Sequence, residues 1–205
     1  MTRKTIFTAI AVCFVVVQSC GQNYKLLQKA FAESYKAEAA GEYSRAIELL
    51  RKEFNENSYA TNLRLGWLTY LNGAFTESVS YYNRAIQLMP MSIEARLGFA
   101  LPASAMGNWD DVVTRYQEII KIDPNHYLTN YRLGLIYYNR EEFQQALRFF
   151  ERIANLYPFD YDAMIMFAWT NFNLGRMKEA QLLFNKVLLI RPDDYSATMG
   201  LSLIK

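Results

Sequence analysis

Few of the 205 residues have side chains that could carry chemistry. There is one histidine, His126, in the stretch Asp123-Pro124-Asn125-His126. The two cysteines, Cys13 and Cys20, both fall within the first twenty residues. A zinc site needs three or four nitrogen, sulfur or oxygen ligands, so a lone histidine cannot build one, and after Cys20 the chain has neither a disulfide nor a thiol nucleophile. Three acidic pairs remain, Asp110-Asp111, Glu141-Glu142 and Asp193-Asp194. Paired carboxylates can serve as general acid and base. These pairs, however, recur at turns or helix starts, where a carboxylate accepts from free backbone N–H groups and favours the helix dipole, so a folding role is expected. His126 is read in the same way, as a solvated turn residue. No catalytic residue, metal site, cofactor or enzymatic activity is expected.

Cys20 is the exception, because of what precedes it. Arg3 and Lys4 are followed by the uncharged run Ile6–Val17, IFTAIAVCFVVV. As a helix that run would span roughly 18 Å, short of the ~30 Å hydrocarbon core. A basic start followed by a short apolar stretch is the pattern of an export signal. Its end, Val17-Gln18-Ser19-Cys20, resembles the bacterial lipoprotein signal, which implies cleavage before Cys20 and acylation of its thiol. Residues 1–19 are then the signal peptide and residues 20–23 a short linker, which places the domain close to a membrane facing the periplasm or the surface. The alternatives are a plain secretory signal cut after Gly21, giving a soluble product, or an uncleaved anchor. Cys13 is read as an apolar filler.

Composition fits a folded domain: 52% of residues are hydrophobic, 15% aromatic and 20% charged. The 22 basic residues fall to 20 when Arg3 and Lys4 are removed with the signal, against 20 acidic ones. A neutral mature chain offers no electrostatic attraction for nucleic acid or for an anionic membrane surface.

The elements that position everything else follow from spacing. Pro90, Pro124, Pro158 and Pro192 recur at one constant interval. Between them runs a second series with the same interval: Gly73-Ala74-Phe75, Gly107-Asn108-Trp109, Glu141-Glu142-Phe143 and Gly175-Arg176-Met177. Gly41-Glu42-Tyr43 stands slightly less than one full interval before the first of them. Such a period marks a repeat array. Within one unit, Asn62, Leu65, Gly66 and Thr69 share a helix face. Gly73 ends that helix in the left-handed conformation, a second helix covers about residues 76–88, and Pro90 forbids its continuation. Gly66 and Ala85 are small so that the paired helices can approach closely. Trp109 shares a slot with Tyr43, Phe75 and Phe143, and is expected to be structural.

This pattern resembles the tetratricopeptide repeat (TPR) family: Leu133, Gly134, Tyr137, Ala146, Phe150 and Pro158 match its unit most fully, and the neighbouring units match it in part. The resemblance implies an all-α fold, a right-handed superhelical solenoid of helix-turn-helix hairpins. The repeats are expected at about 26–58, 59–92, 93–126, 127–160 and 161–194, with a capping helix over 195–205.

In that family the first helices of successive hairpins line a concave groove that holds peptides or partner segments. Carried onto this chain, the groove positions include Leu63, Trp67, Tyr70 and Leu71, then Glu94, Leu97, Leu101 and Ser104. Leu128, Tyr131, Leu135 and Tyr138 follow, and then Asp162, Ile165, Trp169, Phe172 and Asn173. These positions lack the Lys/Asn/Arg clamp with which chaperone-tail-binding members hold a terminal carboxylate, and Arg64 and Arg132 beside them do not make one. The expectation is a non-enzymatic scaffold that binds a protein or peptide through apolar and aromatic anchors. Two alternatives stay open: these aromatics pack between repeats, or Trp67, Tyr138 and Trp169 stack on sugar rings of an envelope glycan. Pro102 lies inside an expected first helix, where it forfeits the bond to the Gly98 carbonyl at a cost of about 3 kcal/mol unless the helix bends. A kink that reshapes the groove and a merely tolerated bend are equally open readings.

Overall fold

The computed structural model describes residues 24–204. The signal peptide expected over 1–19, the expected acylation site Cys20, the rest of the expected linker over 20–23 and Lys205 lie outside the described residues. Among the described residues the secondary structure is helical throughout, with no strand, so the fold is all-α. Two compact units divide the chain between Asn108 and Trp109, inside the expected hairpin over 93–126.

The first unit contains α1 (residues 24–39), α2 (Tyr43–Arg51), α3 (Tyr59–Leu71), α4 (Phe75–Leu88) and α5 (Ile93–Ala105). The second contains α6 (Trp109–Ile122), α7 (Tyr127–Asn139), α8 (Phe143–Leu156), α9 (Tyr161–Asn173), α10 (Met177–Ile190) and α11 (Tyr195–Leu203). In each unit a first helix pairs with a second helix across a turn and the next first helix packs behind it. The first-unit core gathers Ala46, Ile47, Leu50, Leu65 and Leu68; a second-unit core gathers Met164, Ala168, Leu183, Phe184 and Val187. Trp109 opens α6 and is about half exposed.

The starts of the first helices have one design. Ser58, Ser92, His126, Asp160 and Asp194 each cap the following helix, accepting from the backbone N–H three residues on. His126 is therefore not a solvated turn residue: it is half-buried, and its Nδ1 accepts from the Thr129 N–H at 3.3 Å. A side chain with an acceptor is what this slot requires, and histidine supplies a ring nitrogen where its neighbours supply oxygen. The caps also join successive hairpins. The Tyr59 hydroxyl lies 2.8 Å from the Ser92 hydroxyl, Tyr127 donates to Asp160 at 2.8 Å, and Tyr161 donates to Asp194 at 2.7 Å.

The helix ends are equally regular. After α3 the Gly73 N–H bonds to the Tyr70 carbonyl and the Ala74 N–H to the Thr69 carbonyl, at 3.0 and 2.9 Å, with Gly73 at φ +77°. This pair of hydrogen bonds closes a helix through one left-handed residue. Glu141 fills the same slot after α7 at φ +60°, making the same two bonds with Glu142. A side chain in that conformation costs about 1 kcal/mol relative to glycine. Glu141→Gly is therefore expected to raise the stability of the second unit by about 1 kcal/mol, read as a higher urea midpoint with unchanged slope.

Helix–helix contact runs through ring-in-socket packing. The buried Tyr82 ring of α4 lies against both Gly66 of α3 and Gly98 of α5. A Cβ built on Gly98 would stand 2.8 Å or less from three atoms of that ring. Phe150 meets Gly134 in the same way, and Phe184 meets Gly200. Pro102 is buried within α5, which continues to Ala105, and the Met106 N–H bonds back to the Pro102 carbonyl at 3.1 Å. The helix thus runs through the proline.

Candidate functional site

The groove positions expected from sequence fall on α3 and α5 in the first unit and on α7 and α9 in the second. Leu63, Trp67, Tyr70, Leu97 and Leu101 are half-buried. So are Tyr131, Leu135, Tyr138, Trp169 and Phe172. Ile165 is different: it is only 8% exposed and sits in the core cluster with Met164, Leu183 and Phe184. Its side chain packs the unit and offers a partner little surface. At the edges of these rows Leu128, Glu94, Asp162 and Asn173 are exposed, while Leu71 and Ser104 are half-buried.

In the first unit a polar cluster between α1 and α3 fixes the row. The Trp67 indole N–H donates to the Glu38 carboxylate at 2.6 Å, and Arg64 pairs with the same carboxylate. Arg64 is only 8% exposed; it also donates to the Ser34 hydroxyl at 3.3 Å and lies 3.8 Å over the Tyr35 ring. Its charge is thus paired within the fold, although its buried Nε–H has no acceptor. Trp67 leans on Tyr70, ring centroids 5.8 Å apart, and Tyr70 on Phe75 at 5.9 Å. Sequence reading misses Glu38 and Tyr35 as row residues, although a signal for them exists. They precede Tyr70 and Trp67 by the same spacing that separates Gly41 from Gly73. The first-helix row therefore begins on α1.

The second unit holds its row by a similar device. The Trp169 N–H donates to the Ser196 hydroxyl of α11 at 2.8 Å, and its ring meets Phe172 and Phe184 edge-on at 5.4 and 4.9 Å. The Tyr138 hydroxyl accepts from Asn173 at 2.8 Å while its ring meets Phe143 edge-on. Tyr131 stacks on Tyr127 and meets Phe150 edge-on. Arg132 donates to the Tyr116 hydroxyl at 2.8 Å. These rings serve packing with one part of their surface and face outward with the rest.

The rows carry no lysine or arginine, and their exposed charges, Glu94 and Asp162, lie at their edges. Burial holds the phenols of Tyr131 and Tyr138 above their ordinary pKa. Burial and the adjacent Asp160 carboxylate do the same for Tyr127, while for Tyr161 the hydrogen bond to Asp194 comes first. Tyr82 is raised by burial. A raised folded-state pKa means that the stability is fully present below the unfolded value of about 10 and is lost as pH rises beyond it. Thermal melts are thus expected to be unaffected by tyrosine ionisation up to about pH 9 and to fall progressively above pH 10, with Tyr127→Phe reducing the slope. Among the described residues no cluster of three or more His, Cys, Asp or Glu could hold a metal ion. What the rows can do chemically is present ordered aromatic edges and aliphatic side chains to apolar anchors.

Comparisons with known proteins agree with this architecture. Two tetratricopeptide repeat families match residues 97–161 and 138–200. The inactive TPR repeat-containing thioredoxin TTL3 of Arabidopsis thaliana is 31% identical over 85 residues, which are 42% of this chain and 12% of that protein. Among solved structures, a tetratricopeptide repeat protein from Parabacteroides merdae superposes with a TM-score of 0.72 at 20% identity, covering 87% of this chain and 72% of that one. MamA gives 0.70 at 20% identity, covering 81% and 92%. YrrB, described as a TPR protein with an unusual peptide-binding site, gives 0.69 at 14%, covering 91% and 97%. At these identities the structural likeness concerns the fold alone. The periodic hairpins, the glycine sockets and the two family matches, which together span residues 97–200, agree: the chain belongs to the tetratricopeptide repeat family.

Proposed function

We propose that this chain is a non-enzymatic scaffold of the bacterial cell envelope, tethered through an acylated Cys20, that holds an extended peptide or partner segment against its first-helix rows. The observation that carries the reading is the locking of the aromatic row by hydrogen bonds between successive first helices, with Trp67 bonded to Glu38, Trp169 to Ser196 and Tyr138 to Asn173. Rings fixed in this way lose little conformational freedom when a partner docks, which favours binding. The similarity to YrrB, a protein described as having a peptide-binding site, is consistent with such a use. The tether rests on Val17-Gln18-Ser19-Cys20, and the three residues between Cys20 and Tyr24 reach only about 10 Å when extended.

Capture from envelope extract with the full chain is expected to retain a specific protein that is lost on Leu63→Lys/Leu97→Lys or on Leu128→Lys/Leu135→Lys. These variants alter half-buried or exposed row positions and leave the hydrogen-bonded rings in place. Identical capture by wild type and both variants would overturn the row as the site. Saturable tryptophan quenching by soluble wall glycans, without protein capture, would favour a sugar-binding module. For the tether, lipid labelling should disappear in Cys20→Ala, and labelling that survives would refute acylation there.

A further inference from the structure

The two rows agree in the sign of the charge they carry. Glu94 in the first unit and Asp162 in the second occupy one slot of the period, two residues past the helix caps Ser92 and Asp160. Asp162 is exposed and, among the described residues, makes no ion pair.

Tyrosines of the preceding first helix stand beside this slot. Tyr127 and Tyr131, one turn apart on α7, stack with their planes 8° apart and their centroids at 6.2 Å. The Tyr127 hydroxyl donates to Asp160 at 2.8 Å. In the first unit Tyr59, in the slot of Tyr127, lies 2.8 Å from the Ser92 hydroxyl and donates to Glu94 at 3.3 Å. In the second unit burial raises the Tyr131 phenol first, and the field of Asp162 adds to it ahead of that of Asp160. Tyr131 and Asp162 are therefore electrostatic neighbours.

What a tyrosine ring beside a carboxylate attracts is shown twice by the chain's own arginines. On the first unit's row the Arg64 guanidinium lies 3.8 Å over the Tyr35 ring and pairs with Glu38. In the second unit the Arg191 guanidinium lies 3.4 Å over the Tyr161 ring, whose hydroxyl donates to Asp194. Tyr161 and Asp194 stand one full repeat after Tyr127 and Asp160, and Tyr157 holds the slot of Arg191 in that earlier hairpin. Tyr157 meets the Tyr127 ring edge-on at 5.5 Å. The hairpin of α7 thus has the ring and the carboxylates with a tyrosine where the next hairpin has its arginine.

We infer that the second-unit row takes a basic side chain of the partner segment, arginine or lysine, held between the Tyr131 ring and the Asp162 carboxylate. This cation site rests on the reading of the row as a peptide site and adds the charge of its ligand. A basic segment gains a ring–cation contact and an ion pair besides the apolar contacts of Leu128 and Leu135. An acidic segment meets like charge at Asp162 and Asp160.

The probe is N-acetylarginine amide, with N-acetylcitrulline amide as its neutral isostere, titrated into the full chain and followed by the Tyr131 ring and Leu135 methyl resonances. Saturable shifts are expected with the arginine probe alone, weakened by about threefold or more in Asp162→Asn. Tyr131→Leu, which installs the residue found in this slot as Leu63 and Leu97, should abolish the Leu135 response. Asp111→Asn, at an exposed acid of α6, should leave the affinity unchanged. Equal shifts from the two probes, or equal affinity for wild type and Asp162→Asn, overturn the inference. The row still stands in that case if Leu128→Lys/Leu135→Lys abolishes partner capture. An arginine response that needs Asp162, with capture indifferent to those lysine variants, supports the cation site and overturns the peptide reading instead.

Discussion

Gly98→Ala is expected to lower the stability of the first unit by about 2 kcal/mol, and Gly98→Val by about 4 kcal/mol. In an exposed helix the first change would gain about 1 kcal/mol, since alanine is the better helix former. The sign reverses here because the new Cβ overlaps the Tyr82 ring. That ring cannot retreat: it is buried at 2% exposure, with Gly66 already at contact distance on its other side. Overpacking of this kind costs roughly 1–3 kcal/mol for one methyl group. Urea denaturation measures the loss, and Tyr82→Leu in the Gly98→Ala background should recover part of it through a favourable coupling between the two sites. Gly107→Ala is the control: no atom lies within 4 Å of its Cβ position, but its φ is +77°, so about 1 kcal/mol of backbone strain is the whole expected effect. A neutral Gly98→Ala would mean that the ring gives way and that the socket does not fix the helix approach.

Gly98 also shows where sequence reading stops. The hairpins are legible because proline and glycine act locally: Pro90, Pro124, Pro158 and Pro192 stop helices wherever they stand, and Gly73 ends one by its own φ. The all-α class follows from that punctuation and from the helical spacing of Leu65 and Gly66. Gly66 and Ala85 are legible as small residues at a close approach, but Gly98 and Gly200 are not, because the ring each one receives belongs to the preceding hairpin. His126 is misread from sequence since its cap depends on a ring nitrogen meeting a backbone N–H, a geometry that serine and aspartate advertise by type and histidine does not. The row positions are readable from the period on α3, α5, α7 and α9. That Ile165 turns into the core, and that Glu38 of the less regular first hairpin reaches Trp67, are tertiary facts beyond the period.

Glu38→Ala tests the most consequential of those facts and is expected to cost about 3 kcal/mol. The substitution leaves the Arg64 guanidinium, 8% exposed, with only the Ser34 hydroxyl and the Tyr35 ring for company. It also removes the acceptor of the Trp67 N–H. Breaking a buried pair from one side costs roughly 3–5 kcal/mol, because the surviving charge stays desolvated. The lower figure applies here since the Glu38 side chain keeps 22% exposure, and water can enter where the carboxylate was. Glu38→Gln should fall between wild type and Glu38→Ala: its amide oxygen still accepts from Trp67 while the charge opposite Arg64 is gone. Arg64→Met combined with Glu38→Gln should recover much of the loss, as a buried ion pair exchanged for neutral groups is often close to neutral overall. Urea midpoints give the energies, and the Trp67 indole proton resonance reports the bond itself, shifting upfield in Glu38→Ala and staying near its place in Glu38→Gln. If Glu38→Ala costs less than about 0.5 kcal/mol, the pair behaves as a screened surface contact, and Trp67 is held by its ring neighbours alone. If the cost is large and the indole resonance moves, Glu38 joins α1 to α3 and sets the ring on which the first-unit row depends. Weakened partner capture by Glu38→Ala, with Glu38→Gln capturing as well as wild type, would then trace binding to the orientation of Trp67.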